Sequence, residues 1–192
     1  YWVSAPPERR APLAVMDTTA AIIKLAVFAV GGQGGGVLSN WIVGVAERNG
    51  YRVQATSIAG VAQRTGATVY YIEMAVDTGR PPVFALAPSA GDVDILLAAE
   101  MMESGRAMVR GLVSPERTTL ITSTHRILAM SEKTVPGNGI ADGAPVLAAG
   151  RARARRYIAF DMEQIAVAAG SVISASLFGA LAASAVLPFS RE

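Results

Sequence analysis

Six consecutive positions, Gly31-Gly32-Gln33-Gly34-Gly35-Gly36, stand out as residues whose type and spacing do chemistry. Glycine tolerates positive φ and lets a ligand or a second backbone approach closely. Where such a run opens a helix, the free N–H groups of the first turn favour an anion. The spacing is not that of a dinucleotide fingerprint. A G-x-G-x-x-G pattern begun at Gly32 would need glycine where Val37 stands, and one begun at Gly34 would need it where Ser39 stands. The following β-like stretch ends Gln54-Ala55-Thr56, with no acid for ribose hydroxyls, and no G-x-x-x-x-G-K-[ST] loop occurs. Three readings stay open: a turn that only packs helix on strand or partner, a dinucleotide site, and a seat for an anionic group of a substrate or of a cofactor held by a partner.

Other polar residues join this list. Gln63-Arg64-Thr65-Gly66 presents Arg64, whose planar guanidinium suits a carboxylate or phosphate, or pins a loop at an interface; a surface arginine with a local ion pair is the plainer alternative. Gln33 donates to an anion or, more simply, braces its own loop. Glu100 follows an apolar strand at the end that lines the crevice in open α/β sheets, where it caps the next helix or pairs with Arg64. His125 follows another strand in the same way and reads as a hydrogen-bonded loop residue. Arg151, Arg153, Arg155 and Arg156 read as the solvated end of a helix, with a phosphate or docking patch as the alternative. Met101, Met102 and Met108 read as core filler.

The elements that position these groups follow from periodicity. Lys24 to Val30 is a nearly continuous apolar run of strand length. After the glycines, Val37, Leu38, Trp41, Ile42, Val45 and Ala46 recur at helical spacing until Asn49-Gly50. Tyr51 to Thr56 reads as a second strand completing a βαβ unit, and Ser57 to Gly66 as a loop. Strands are expected at Ala67–Ala75, Asp94–Ala98, Thr118–Thr122 and Tyr157–Phe160. Helices are expected at Glu100–Val109, Ala144–Arg155, after Asp161 to Ala169, and from Ser171 to Val186; Ser131 to Ala144 reads as loop. The fold class is α/β: a Rossmann-like, mostly parallel open sheet flanked by helices. Residues 1–21 read as an N-terminal arm or linker and 22–192 as one domain. The chain begins at Tyr1, not Met, and is expected to be part of a longer polypeptide.

Composition narrows the function. Of 192 residues 52% are apolar and 17% charged, which suits one domain with a full core. The formal net charge of +2 and the mixed charges argue against nucleic acid. The chain has no cysteine and one histidine, so thiolate-held iron–sulfur clusters, cysteine-ligated zinc and disulfides are excluded. No metal site is expected. No secretory signal is visible, and a cytoplasmic location is the expectation. Ile165 to Pro188 carries no charge, but its alanine, serine and glycine content reads as a closely packed core helix, not a membrane span.

Four blocks then resemble one family. AVGGQGGGVLSNWI (Ala29–Ile42) is similar to the motif opening the gamma domain of pyruvate- and indolepyruvate-type ferredoxin oxidoreductases. TSIAGVAQRTGATVYYIEM (Thr56–Met74) resembles its second block, DVDILLAAEMMESGRA (Asp92–Ala107) its third, and GSVISASLFGALAASAVLP (Gly170–Pro188) its closing helix. The blocks fall in order, and the indolepyruvate beta-subunit group is the nearest pattern. Departures are Ala59 for a frequent His, Val61 for Met, Thr65 for Gly and Ser174 for Asn.

The resemblance implies a division of labour. A partner subunit or domain would carry thiamine diphosphate, Mg²⁺ and iron–sulfur clusters and pass electrons to ferredoxin. This chain would hold no cofactor and complete the cavity for oxidative decarboxylation of an aryl-2-oxoacid such as indolepyruvate to an acyl-coenzyme A. No Gly-Asp-Gly diphosphate–metal motif occurs here. The cofactor-facing candidates carried over are Gly31, Gly32, Gln33, Gly34, Gly35, Gly36, Thr65 and Gly66; the catalytic candidates are Gln63, Arg64 and Glu100. Self-association is left open. The alternatives are a Rossmann-like interaction module without a catalytic role and a nucleotide-binding reductase.

Overall fold

A strand that is apolar on both faces must be covered on both faces, and this demand organises the molecule. The computed structural model describes residues 21–59, 67–128, 130–134 and 136–189. The apolar run is β1 (Ile23–Ala29), and Leu25, Ala26, Val27 and Phe28 are fully buried. It lies inside a six-stranded sheet of order β2-β3-β1-β4-β5-β6, with β2 at Tyr51–Ala59, β3 at Thr68–Val76, β4 at Ile95–Ala98, β5 at Thr119–Ser123 and β6 at Arg156–Phe160. Strands β1, β4, β5 and β6 are parallel neighbours. β3 runs antiparallel to both β1 and β2, so five of the six strands share one direction.

Side chains alternate across β1. Leu25, Val27 and Ala29 face one layer, with α1 (Gly35–Arg48), α5 (Met162–Ala168) and α6 (Ile173–Ser184). Ala26 and Phe28 face the other, with α2 (Met101–Val109) and α4 (Ala144–Arg153). The sheet is therefore sandwiched as expected, and the strands and main helices read from periodicity are present.

Three readings need correction. β2 does not lie beside β1. It runs parallel to β1, but β3 is inserted between them, making a split βαβ unit. The connection over 60–67 is shorter than the dozen or so residues a parallel crossover needs, so β3 has to return antiparallel beside β2. Second, β2 continues through Ala59, so Ser57 to Ala59 belong to the strand and not to a loop. Third, the polar stretch after Ser131 is not wholly loop: α3 occupies Met130–Thr134. Of the expected N-terminal arm only Ala21 is among the described residues.

No single helix among the described residues is long and apolar enough to cross a membrane; α5 and α6 meet the test only as a pair bent by 114°. The bend follows Gly170, at φ 63°, between the two helices.

The face of β2 and β3 that α2 does not reach is crossed by residues 83–87. Gln54 Nε2 donates to the Ala85 carbonyl (2.9 Å) and Thr56 Oγ1 to that of Leu86 (2.8 Å). Glu73, 1% exposed, accepts from the Ala85 N–H at 2.7 Å and from the Tyr71 hydroxyl at 2.5 Å. Burial first, and then the Glu73 carboxylate, push the Tyr71 phenol well above its ordinary value, which keeps it a donor. Replacing Glu73 by alanine leaves that hydroxyl and the Ala85 N–H without an acceptor, at about 1–3 kcal/mol for each unsatisfied group. Glu73→Ala is therefore expected to lower the urea midpoint and to expose 80–88 to limited proteolysis. An unchanged midpoint and digestion pattern would show that the carboxylate does not fasten this segment.

Candidate functional edge at the strand ends

The C-terminal ends of β1, β4, β5 and β6 open onto one edge, which is where ligands sit in open α/β sheets. The glycine turn stands at its centre. The Gln33 N–H returns to the Val30 carbonyl at 3.1 Å, closing a tight turn. Gly32 (φ 89°) and Gly34 (φ 72°) adopt the left-handed conformation that favours glycine. Gly34 is the N-cap of α1, with no side-chain cap and no acid in the first turn. That helix start is thus left open to a negative group.

Two of the glycines are also required by contact. A Cβ on Gly35 would stand 2.6 Å from Tyr70 Cε2 and 2.8 Å from Ala29 Cβ. One on Gly34 would stand 2.9 Å from Ser174 Oγ, in the first turn of α6. Gly32 has nothing within 4 Å of such a position, and Gly31 and Gly32 are exposed. The run therefore divides: Gly34 and Gly35 seat the helix, while Gly31 and Gly32 face outward.

Gln33 is buried and both ends of its amide are engaged. Oε1 accepts from the Val30 N–H at 2.8 Å, and Nε2 donates to the Ala99 carbonyl at 3.3 Å. The side chain braces the turn and ties it to the end of β4. Glu100, 2% exposed, is the N-cap of α2: Oε2 accepts from Met102 N–H at 3.0 Å and from Ile127 N–H at 3.5 Å. Burial, with the nearby Glu103 adding to it, raises its pKa above the ordinary value of 4.5, against the lowering pull of those N–H groups. His125 contributes its backbone: its carbonyl accepts from Met101 N–H at 2.9 Å, and its N–H donates to Ser123 Oγ at 3.2 Å. The edge is thus laced from the glycine turn through Ala99 and Glu100 to the loop after β5.

Gln63, Arg64, Thr65 and Gly66 lie outside the described residues. The strands that bracket them end and begin at Ala59 and Thr68, which pair with each other and, through Thr68, with Ala29. Both strand ends therefore open at the glycine-turn end of the sheet. A ribose-binding acid at the tip of β2 would stand two strand spacings from β1, about 9–10 Å. Tyr70 occupies the space under Gly35 and Gly36. Met101 and Met108 are buried in the core and Met102 is half-buried.

Some residues of this edge escaped the sequence reading. Ser123 is fully buried, and its Oγ accepts from both His125 and Met162 N–H, joining β5 to the start of α5. Arg126 gives Nη2 to Glu132 and Nη1 to the Ala141 carbonyl, fastening α3 and the following segment. Periodicity signals neither residue, since Ser123 reaches across to the start of α5 and Arg126 to α3 and the segment after it. Asp161 does follow its local signal and caps α5, accepting from Gln164 N–H at 2.9 Å.

The family described as pyruvate ferredoxin/flavodoxin oxidoreductase matches residues 24–192. The indolepyruvate oxidoreductase subunit IorB of Thermococcus kodakarensis is 25% identical over 181 residues, covering 88% of this chain and 80% of that protein. Among solved structures, pyruvate oxidoreductase subunit PORC from Thermotoga maritima superposes with a TM-score of 0.57 at 16% identity, covering 87% of this chain and 79% of that one. The 2-oxoglutarate:ferredoxin oxidoreductase from Magnetococcus marinus, solved with 2-oxoglutarate, coenzyme A and succinyl-CoA bound, gives 0.53 at 16% identity, covering 88% of this chain and 25% of that one. The structural likenesses establish the mixed, mostly parallel α/β fold.

The Glu100 environment yields a pH test. A carboxyl whose folded pKa lies above its unfolded value holds its proton more tightly when folded. Its relative contribution is then fully present below about 4.5, and is lost as pH rises through the raised value. Glu100→Gln keeps an acceptor for the Met102 N–H and removes the buried charge. The stability difference, variant minus wild type, is expected to move in the variant's favour as pH rises from about 4 to neutrality in urea titrations. A difference independent of pH would contradict the burial of this charge.

Proposed function

Because the chain belongs to the pyruvate ferredoxin/flavodoxin oxidoreductase family, we propose that it is the subunit or domain carrying neither thiamine diphosphate nor iron–sulfur clusters in an indolepyruvate-type 2-oxoacid:ferredoxin oxidoreductase. The observation that carries this reading is the union of the family's fold with a sequence that has no cysteine and no Gly-Asp-Gly motif. Iron–sulfur clusters need thiolates, and the diphosphate of thiamine needs a metal-binding acid motif. Neither group fits the residues of this chain, and no group of three His, Asp or Glu among the described residues is placed to hold a metal. Those cofactors then belong to a partner, and no step of the decarboxylation is assigned to side chains here.

In this reading the chain contributes a wall. The glycine edge offers an outward backbone at Gly31 and Gly32 and an uncapped helix start, suited to an anionic group of the 2-oxoacid or of coenzyme A. Gln33 and Glu100 hold that wall in place through backbone contacts. The substrate class follows the IorB relatives, and the coenzyme A role follows the M. marinus enzyme. An aryl-2-oxoacid, a ferredoxin acceptor reached through the partner, and a cytoplasmic setting complete the proposal.

The test is reconstitution. The chain is purified alone and with a partner polypeptide bearing thiamine diphosphate and the clusters, and coenzyme A-dependent ferredoxin reduction by indolepyruvate is followed. The chain alone is expected to be colourless and inactive, with turnover only when both are present. Gly34→Ala, strained at φ 72° and pressed against Ser174, is expected to lower reconstituted turnover roughly ten-fold or more while the complex still assembles. Flavin absorbance or unaided turnover by the isolated chain would overturn the proposal. So would a partner equally active without it, since the chain would then be an interaction module only.

A further inference from the structure

The arginine run at 151–156 takes no part in the glycine edge. Arg151 and Arg153 lie in the last turn of α4, where positive charge complements the carbonyl end of the helix. Arg155 and Arg156 lie beyond it, at the opening of β6, and helix termination does not explain them. Arg155 is the residue before β6 and Arg156 its first, and both line one cleft. They do so because the cleft runs along the N-terminal ends of the strands and not over a face of the sheet. Its other walls are Ile23 of β1, Asp94 and Ile95 at β4, and Arg117 and Thr119 at β5. Its volume is about 630 Å³, within the range of small-ligand sites, and it lies at the opposite end of the sheet from the glycine turn.

Charge accounting in this cleft leaves a remainder. Lys24 pairs with Asp92, and Arg117 pairs with Asp92 and Asp94 at 2.7 Å each. Two bases and two acids cancel. Arg156 gives Nη1 to the Ser184 carbonyl at the end of α6, which positions its guanidinium without neutralising it. Arg155 is exposed and has no ion-pair partner among the described residues. Two positive charges therefore stand unmatched on adjacent residues, with Arg151 and Arg153 adding to the field from the end of α4. A guanidinium presents a planar fork of N–H donors that matches the oxygens of a tetrahedral oxyanion. Two of them match a charge of about −2, which is that of a phosphate monoester near neutral pH.

We propose that this cleft binds a dianionic phosphate group, free or as the monoester of a small metabolite, with Arg155 and Arg156 as its charge partners and Arg117 as a fixed wall. The site is separate from the glycine edge, so its fate and that of the proposed oxidoreductase role are independent.

Calorimetric titration of the full chain with inorganic phosphate and with glycerol 3-phosphate tests it. Saturable binding is expected, weakened on the order of ten-fold or more by Arg155→Gln and further by Arg155→Gln with Arg156→Gln. Tighter binding of the monoester assigns the site to a phosphorylated metabolite; equal or weaker binding assigns it to the free ion, and either supports the proposal. Glycerol 3-phosphate affinity should fall as pH drops through the second ionisation of the monoester, about 6, while sulfate affinity stays level, because the arginines keep their charge. Should the Arg156 variant fail to fold for want of its Ser184 contact, Arg155→Glu, an exposed charge reversal, carries the test alone. Absence of saturable phosphate binding by the wild type, or affinities unchanged in Arg155→Gln and Arg155→Glu, would overturn the assignment.

Discussion

The seat of α1 on the sheet depends on the contact between Gly35 and Tyr70. β3 lies between β1 and β2, so its side chains must fit under the helix that joins those two strands. Tyr70 is the residue that meets the helix start, and any Cβ at position 35 would overlap its ring and Ala29 at once. Overlap with a half-buried ring packed against the core and with a backbone-fixed methyl has no cheap relief in a close-packed interior. The glycine run is therefore fixed first by packing. Its outward half, Gly31 and Gly32, is free to serve a ligand only because Gly34 and Gly35 have already fixed the turn.

The same economy governs the polar groups beneath the surface. Gln33, Glu73, Glu100 and Ser123 are all buried, and each spends its oxygen on backbone N–H groups, with the Tyr71 hydroxyl as a second donor to Glu73. A buried carboxylate that accepts from peptide N–H groups fixes loops relative to one another. It also leaves little for proton transfer to a substrate. The described edge is therefore a positioned backbone surface, and this agrees with a chain whose sequence excludes the thiolate-held redox centres of its family.

Much of this was legible in the sequence. The apolar run at Lys24 to Val30, the glycines and the helical repeat to Ala46 gave β1, the turn and α1 because every signal there is local. The helix expected after Asp161 is α5, and Glu100 stands at the start of α2 as expected. The insertion of β3 was not anticipated, because strand order is a property of non-local pairing; the one available clue was the brevity of the 60–67 connection. Ser57 to Ala59 lacked a clean period because an edge strand is only partly covered. Ser123 and Arg126 were missed because their partners, Met162 and Glu132, belong to other elements, α5 and α3. Gln63 to Gly66 fall outside the described residues, so the resemblance alone speaks for them.

The arginine run shows why spacing in sequence is a poor guide to shared purpose. Four arginines within six positions invite one explanation, a basic helix end, and for Arg151 and Arg153 that explanation suffices. α4 stops at Arg153, however, and Ala154 is extended (ψ 142°), so Arg155 leads into β6 and Arg156 is its first residue. A strand that enters a sheet at its N-terminal end carries its first side chains to the side of the molecule opposite the ligand crevice. There they meet Arg117, already matched by Asp94, and no further acid among the described cleft residues. The two ends of one sheet thus differ in kind. One offers a nearly uncharged backbone, shaped by glycine and held by buried amide and carboxyl groups. The other offers charge, set by where a helix happens to end.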